Sequence, residues 1–148
     1  MITAATRLEQ LTGELPSGFA AMRSEALAEG YRFLETLAAD WATCAVRFDR
    51  DGELLLAAYR GKSLAAIGGI TIEPVIPGAL RMRRFYIRAP FRRSGIGRIL
   101  ATALLDRAMR SERPVTVNAA TGSAPFWESL GFAPDMRDGH THVLVRNA

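Results

Sequence analysis

Residues 80 to 118 constrain this chain more than any other stretch. They read as a strand over residues 80 to 88, a loop with glycine at 95 and 97, an amphipathic helix over residues 95 to 110, and a short apolar strand from Val115 to Asn118. A strand–helix–strand crossover forces its two strands to lie parallel and opens the loop at the C-terminal end of the first. Ile96, Ile99, Leu100, Ala103, Leu104 and Ala108 fall on one helical face, which is therefore expected against a sheet. The loop is basic: between Glu73 and Asp106 there is no acidic residue, and Arg81, Arg83, Arg84, Arg88, Arg92, Arg93 and Arg98 all fall there. A helix N-terminus leaves its first N–H groups unpaired and carries partial positive charge, so Arg92-Arg93-Ser94-Gly95-Ile96-Gly97 is a candidate seat for a phosphate-bearing ligand.

Charge and length narrow the classes. The formal net charge of +4 comes from 18 arginines and one lysine, Lys62, which raises the idea of a nucleic-acid surface. The crowding of arginine into one segment argues for a local ligand instead. No helix-turn-helix pattern or RNA-binding aromatic motif is present, so nucleic acid ranks last among the partners. At 148 residues the chain fits one domain, 1–148, with no linker, repeat or low-complexity tract. A single cysteine, Cys44, excludes a disulfide within the chain. The first residues lack a basic stretch followed by a long apolar run, and nowhere do about 18 apolar residues follow one another. A soluble cytoplasmic protein with no membrane partner is the expectation.

The remaining elements follow from periodicity. Phe19, Met22 and Ala26 mark one short helix, and Leu34, Leu37, Ala38 and Trp41 a second. Residues 53 to 60 and 63 to 72 read as strands joined at Gly61-Lys62 by a hairpin. A short helix is expected around Pro125 to Leu130, and a closing strand from His142 to Arg146. Residues 73 to 79 and 133 to 141 read as loops. The sum is an α+β fold, a mixed sheet with helices on its faces.

Two common glycine motifs do not apply: a dinucleotide fingerprint needs a third glycine and a following acid, and a P-loop needs Gly-Lys-Ser/Thr. Arg92-x-x-Gly95-x-Gly97, after a strand and before an amphipathic helix, resembles the pyrophosphate motif of the GNAT superfamily of acyl-CoA-dependent N-acyltransferases. Arg84-Phe85-Tyr86-Ile87-Arg88-Ala89-Pro90 is similar to that family's fourth strand entering the loop. Phe126-Trp127-Glu128-Ser129-Leu130-Gly131-Phe132 is similar to its aromatic-x-x-Leu-Gly-Phe segment. The element order matches over most of the chain.

The resemblance implies a mostly antiparallel sheet whose parallel strand pair is splayed at a coenzyme A site. It implies acetyl-CoA as acyl donor, no metal, and acetyl transfer by direct attack of an amine in a ternary complex. Cofactor contacts then fall to Phe85, Tyr86, Ile87, Arg92, Arg93, Ser94, Gly95, Ile96, Gly97, Arg98 and Asn118. Two departures affect the chemistry. Many members carry a tyrosine that protonates the leaving thiolate where this chain has Trp127, whose indole is no practical proton source. The thiolate is then left to solvent, to the N-terminus of the short helix, or to Ser123 as donor. Many members also carry a glutamate early on the fourth strand, where this chain has Leu80-Arg81-Met82-Arg83-Arg84. Glu73 becomes the nearest candidate base, with Glu128, His140 and His142 as others. The acceptor is expected to be the amine of a small molecule or peptide, with Arg81 and Arg83 favouring one that carries a carboxylate or phosphate if they face the cleft. A coenzyme A-binding module without turnover and a basic nucleic-acid binder are the alternatives, and a homodimer is compatible with all three.

Overall fold

A computed structural model describes residues 5–137 and 139–145 of the chain. Its core is a seven-stranded sheet built from β1 (Thr6–Gln10), β2 (Leu54–Arg60), β3 (Ser63–Ile72), β4 (Leu80–Ile87), β5 (Val115–Val117), β6 (Ala133–Arg137) and β7 (His140–Leu144), in the order β1-β2-β3-β4-β5-β7-β6. Every neighbouring pair is antiparallel except β4 and β5, which are parallel. That parallel pair is the one the crossover helix α3 (Ile96–Arg110) requires. Helices α1 (Phe19–Ala28) and α2 (Phe33–Thr43) precede β2, and α4 (Ala124–Ser129) follows β5.

The sheet is covered on both faces, which explains why β2 and β3 read as unbroken apolar runs rather than alternating ones. Leu54, Leu56 and Ala58 point to the side of α3 and α4, where they join Ile96, Leu100, Leu104, Trp127 and Phe132. Leu55 and Ala57 point the other way and pack with Met22, Leu34, Leu37 and Trp41 of α1 and α2. The two cores are separate layers divided by the sheet.

Three expectations need correction. The buried face of α3 also carries Ala101 and Leu105, while Ala103 packs at its edge and Ile99 is 44% exposed, because the helix crosses the sheet rotated by part of a turn from the best periodic fit. Residues 133 to 137, read as loop, form edge strand β6, whose exposed, Pro134-containing sequence carries no apolar alternation. Strand β1 was not visible for the same reason: its one apolar side chain is Leu8 and its pattern is that of a solvated edge. The closing strand begins at His140 rather than His142, and Arg146 lies outside the described residues.

Candidate functional site

The site begins where β4 stops pairing with β5. The two strands are in register only at Leu80 with Val115 and Arg81 with Thr116. Just beyond, β4 carries an extra residue: Gly69 opposes Arg83 while Ile67 opposes Tyr86, and Arg84 sits at φ 55°. A bulge of this kind bends its strand and raises its local twist. Here it swings Phe85–Ile87 away from β5. Gly68 makes the bulge packable, since a Cβ there would lie 2.7 Å from Cδ2 of Phe85.

The divergence opens a cleft of about 650 Å³. Residues 81–87 form one wall, residues 117–123 the other, and Phe126 and Trp127 close one end, while Tyr31 and Phe33 reach in from the α1–α2 connection. Beyond Arg81 the edge of β4 faces this cleft without a strand partner, so an extended ligand can bond to its backbone as another strand would.

At the end of β4 the chain makes a short 3₁₀ turn, Ala89–Phe91, and enters α3 through Arg93 at φ 61° and Gly95 at φ 87°. The space a Cβ would occupy at Gly95 is open to 4 Å, and at Gly97 it touches only Ile87 at 3.5 Å and Phe126 at 3.7 Å. The N-terminus of α3 thus presents backbone without a side chain at Gly95 and Gly97. Ile96 is fully buried, so it offers the loop only its backbone N–H.

The arginines divide into held and free. Arg92 donates from both terminal nitrogens to Glu29 at 2.8 Å and from Nε to the carbonyl of Ile87 at 2.9 Å. Tyr86 also donates its hydroxyl to Glu29, and Arg92 lies 5.5 Å from the Tyr86 ring centre. Burial, and then the Glu29 contact, push the Tyr86 hydroxyl well above its ordinary pKa, so it stays protonated. Glu29, at the C-terminus of α1, therefore fastens the loop to the opposite helix pair. The sequence offered no pointer to it beyond a carboxylate next to Gly30, and Tyr31 and Phe33 were missed as well, because their role depends on where α1 and α2 lie over the sheet. Ser94 donates its hydroxyl to the carbonyl of Phe91, and Arg98 donates to Ser129 Oγ at 3.2 Å. Arg93 is exposed with no side-chain partner among the described residues.

Deeper on β4, Arg81, Arg83 and Arg84 line the cleft. Arg81 lies 3.8 Å from Glu73 and bonds the carbonyl of Gly139; Arg84 lies 3.8 Å from Asp40. Arg83 donates from Nε to Thr71 Oγ1 at 3.3 Å and pairs with no carboxylate among the described residues. Burial, with help from Arg81 and Arg84, pulls its pKa down, yet a guanidinium remains charged. Much of the basic run is thus neutralised from within, Arg88 included, whose partner is Glu25 at 2.8 Å.

The candidate acid and base residues are placed less uniformly. Asn118 and Ser123 line the cleft, and Ser123 donates its hydroxyl to the carbonyl of Ala120 at 2.7 Å. Trp127 also borders it but is 4% exposed and sits in a nest of rings, 5.0 Å from Phe85, 4.9 Å from Phe126 and 5.5 Å from Phe132. Glu73 does not line the cleft; its Oε2 accepts N–H bonds from Val75 and Ile76, both at 2.6 Å. Burial acts to raise its pKa, but those two bonds with Arg81 and His140 outweigh it and hold the carboxyl below the usual range. Glu128 and His142 bond each other at 2.9 Å, and His140 bonds Asp135 at 2.9 Å. None of these lines the cleft. Among the described residues no group of three metal-binding side chains occurs, and no helix is long and apolar enough to cross a membrane.

Comparison with known proteins agrees with this geometry. No curated protein matches the chain. Among solved structures, a protein of an Exiguobacterium species described as a candidate acetyltransferase superposes with a TM-score of 0.87 at 20% identity, covering 95% of this chain and 93% of its own. The ribosomal-protein-S18-alanine N-acetyltransferase of Escherichia coli gives 0.65 at 14% identity, covering 94% and 89%. The glucosamine-6-phosphate N-acetyltransferase of Arabidopsis thaliana gives 0.61 at 16% identity, covering 90% and 95%. These likenesses establish the fold. The acetyltransferase (GNAT) domain profile matches residues 20–143, the stretch that contains both helices over the cleft, the bulged strand and the glycine loop. A parallel pair splayed beside a bare helix N-terminus is therefore no isolated coincidence: the chain belongs to the GNAT acetyltransferase domain family.

Proposed function

We propose that this protein transfers an acetyl group from acetyl-CoA to the amine of a small acceptor by direct attack in a ternary complex. The observation that carries the reading is the unpartnered edge of β4, which lines the cleft as far as Ile87 and Arg92 and leads within a few residues into a helix N-terminus with no side chain at Gly95 or Gly97. The residues present fit coenzyme A. Open space at Gly95 and Gly97 admits a pyrophosphate to the N–H groups of residues 93 to 97, while exposed Arg93 and Arg98 supply charge. Arg92, already held by Glu29, positions the loop rather than meeting phosphate. The edge of β4 from Phe85 to Ile87 suits the pantetheine amides, and Asn118 faces it across the cleft.

In the reaction the amine nitrogen adds to the acyl carbon, the C–S bond breaks with its electron pair on sulfur, and the amine loses one proton. A backbone N–H at the bulge serves the carbonyl oxygen as it develops charge. Among the described residues no aspartate, glutamate or histidine lines the cleft, so in this reading the acceptor's proton passes to solvent and the attacking amine enters neutral. Ser123 can turn its hydroxyl from Ala120 toward sulfur; Trp127 fills space; Glu73 anchors the 73–79 loop. A positioned base is worth about 10²–10⁴-fold, less than the roughly 7–11 kcal/mol available from holding two reactants in register, so transfer without a base is chemically sound. The same absence of a carboxylate or imidazole among the described lining residues favours one second reading, a coenzyme A-binding module without turnover.

Thermal unfolding with acetyl-CoA tests the site. Ligand at about 100 times its Kd stabilises by about 2.7 kcal/mol, which for this length raises Tm by roughly 5–10 °C. No shift at millimolar ligand overturns both readings. A shift with no thiol release across an amine panel leaves the binding module.

A further inference from the structure

Charge accounting on the cleft floor points to the acceptor's chemistry. Strand β4 places three guanidiniums there, Arg81, Arg83 and Arg84, and among the described residues two carboxylates answer them: Glu73 beside Arg81 and Asp40 beside Arg84, each at 3.8 Å. Within that set one positive charge is left, on Arg83. That side chain is also the most prepared of the three. Its Nε donates to Thr71 Oγ1 at 3.3 Å, and Thr71 is itself 5% exposed, so the plane of the guanidinium is set by a buried partner. Both terminal nitrogens remain without a partner among the described residues, leaving the end of the fork open toward the cleft. Glu73 and Asp40 act on Arg83 only at longer range, and a part-buried cation with no direct ion pair is stabilised by a ligand that supplies one; the planar fork matches a carboxylate in two parallel bonds.

We infer that the acceptor is an amino acid or related amine carrying a single carboxylate, which Arg83 holds while the amine reaches past the Arg84 bulge to the acyl carbon. This deepens the acetyltransferase reading and rests on it. One negative charge neutralises the floor, whereas a phosphate dianion overshoots it. Arg83 immediately precedes the bulge, two residues past the last β4–β5 pair, so with the thioester carbonyl at a bulge N–H, as proposed above, carboxylate and reacting amine sit only a few bonds apart.

The test measures binding to the full chain, with and without saturating coenzyme A, of glycine, β-alanine and 4-aminobutyrate. Each is paired with its own carboxamide, and O-phosphoethanolamine is included beside ethanolamine. At least one acid is expected to bind tenfold or more tighter than its amide. Arg83→Gln is expected to erase that ratio and Arg83→Lys to keep part of it. If Arg83→Gln does not fold, Thr71→Val, which removes the hydroxyl that orients the fork, is expected to shrink the ratio several-fold. Equal binding of every acid and its amide, a ratio that survives Arg83→Gln, or tighter binding of O-phosphoethanolamine than of any carboxylate overturns the inference. Coenzyme A titrated into the wild type by calorimetry separates the two readings: loss of that binding removes the acyl-donor site, while the acid-to-amide ratio alone decides the acceptor.

Discussion

Replacing Gly68 with alanine tests whether the bulge that opens the cleft is held by packing. The new Cβ falls 2.7 Å from Phe85 Cδ2, 3.3 Å from Leu104 Cδ1 and 3.4 Å from Leu100 Cδ2. Carbon atoms prefer separations of about 3.5–4.0 Å, so the Phe85 ring must move by roughly 1 Å. It has little room, because the rings of Trp127 and Phe126 have their centres 5.0 Å and 5.8 Å away and Trp127 is itself buried. Overpacking of this kind costs about 1–3 kcal/mol, against about 0.5–1 kcal/mol gained from alanine's lower backbone entropy loss. The net is about 0–2.5 kcal/mol and centres near 1, a central fall in Tm of roughly 2–5 °C. Because Phe85 is also a cleft wall, acetyl-CoA affinity should fall in the same variant. Circular dichroism melts and calorimetric titration read the two effects. Adding Phe85→Leu should recover stability in the Gly68→Ala background but lower it in the wild type, the signature of direct coupling. An unchanged or raised Tm for Gly68→Ala refutes the idea that this ring locks the bulge.

Gly97→Leu should separate folding from binding: the Cβ position meets only ordinary contacts and leucine suits a helix better than glycine by roughly 0.5–1 kcal/mol, so the fold should be largely kept while the acetyl-CoA-induced shift is lost; an undiminished shift removes the cradle assignment. The pH dependence of kcat/KM should follow the acceptor, rising with unit slope up to each amine's own pKa; an inflection that stays fixed across acceptors of different pKa identifies a protein base instead. Glu73 has a depressed carboxyl pKa, so its stabilisation is present above the unfolded glutamate value of about 4.3 and is lost as pH falls through the lower folded value. Glu73→Gln should therefore lower Tm at neutral pH by the equivalent of about 1–2 kcal/mol and flatten the acid limb of denaturation, with an unchanged pH profile of turnover; a lost basic or acidic limb in kcat/KM at constant Tm would restore Glu73 as the base.

Much of the fold was legible in residue order, because its signals are local. Period-3.6 apolar spacing marks α1 to α3, continuous apolar runs mark β2 and β3, and a crossover between Leu80 and Val117 leaves β4 and β5 no choice but to lie parallel. The glycine loop was equally plain, since a bare helix N-terminus is a property of a few consecutive residues. Edge strands β1 and β6 were not legible, for an edge in water needs no apolar alternation and takes its identity from the neighbour it pairs with. The site's finer chemistry was decided in three dimensions. Whether Glu73 is a base or a loop anchor depends on which way a buried carboxylate turns, and it turns to the amides of Val75 and Ile76. Whether Arg92 meets phosphate or protein depends on Glu29, 63 residues away in sequence. Which of three neighbouring arginines keeps its charge for a ligand depends on where Glu73 and Asp40 come to rest, and that is set by the packing of α2 and the 73–79 loop over the sheet. Sequence determined where a polyanion could be seated; only the tertiary structure decided which cations were free, because ion pairing in this chain is made between residues that periodicity cannot bring together.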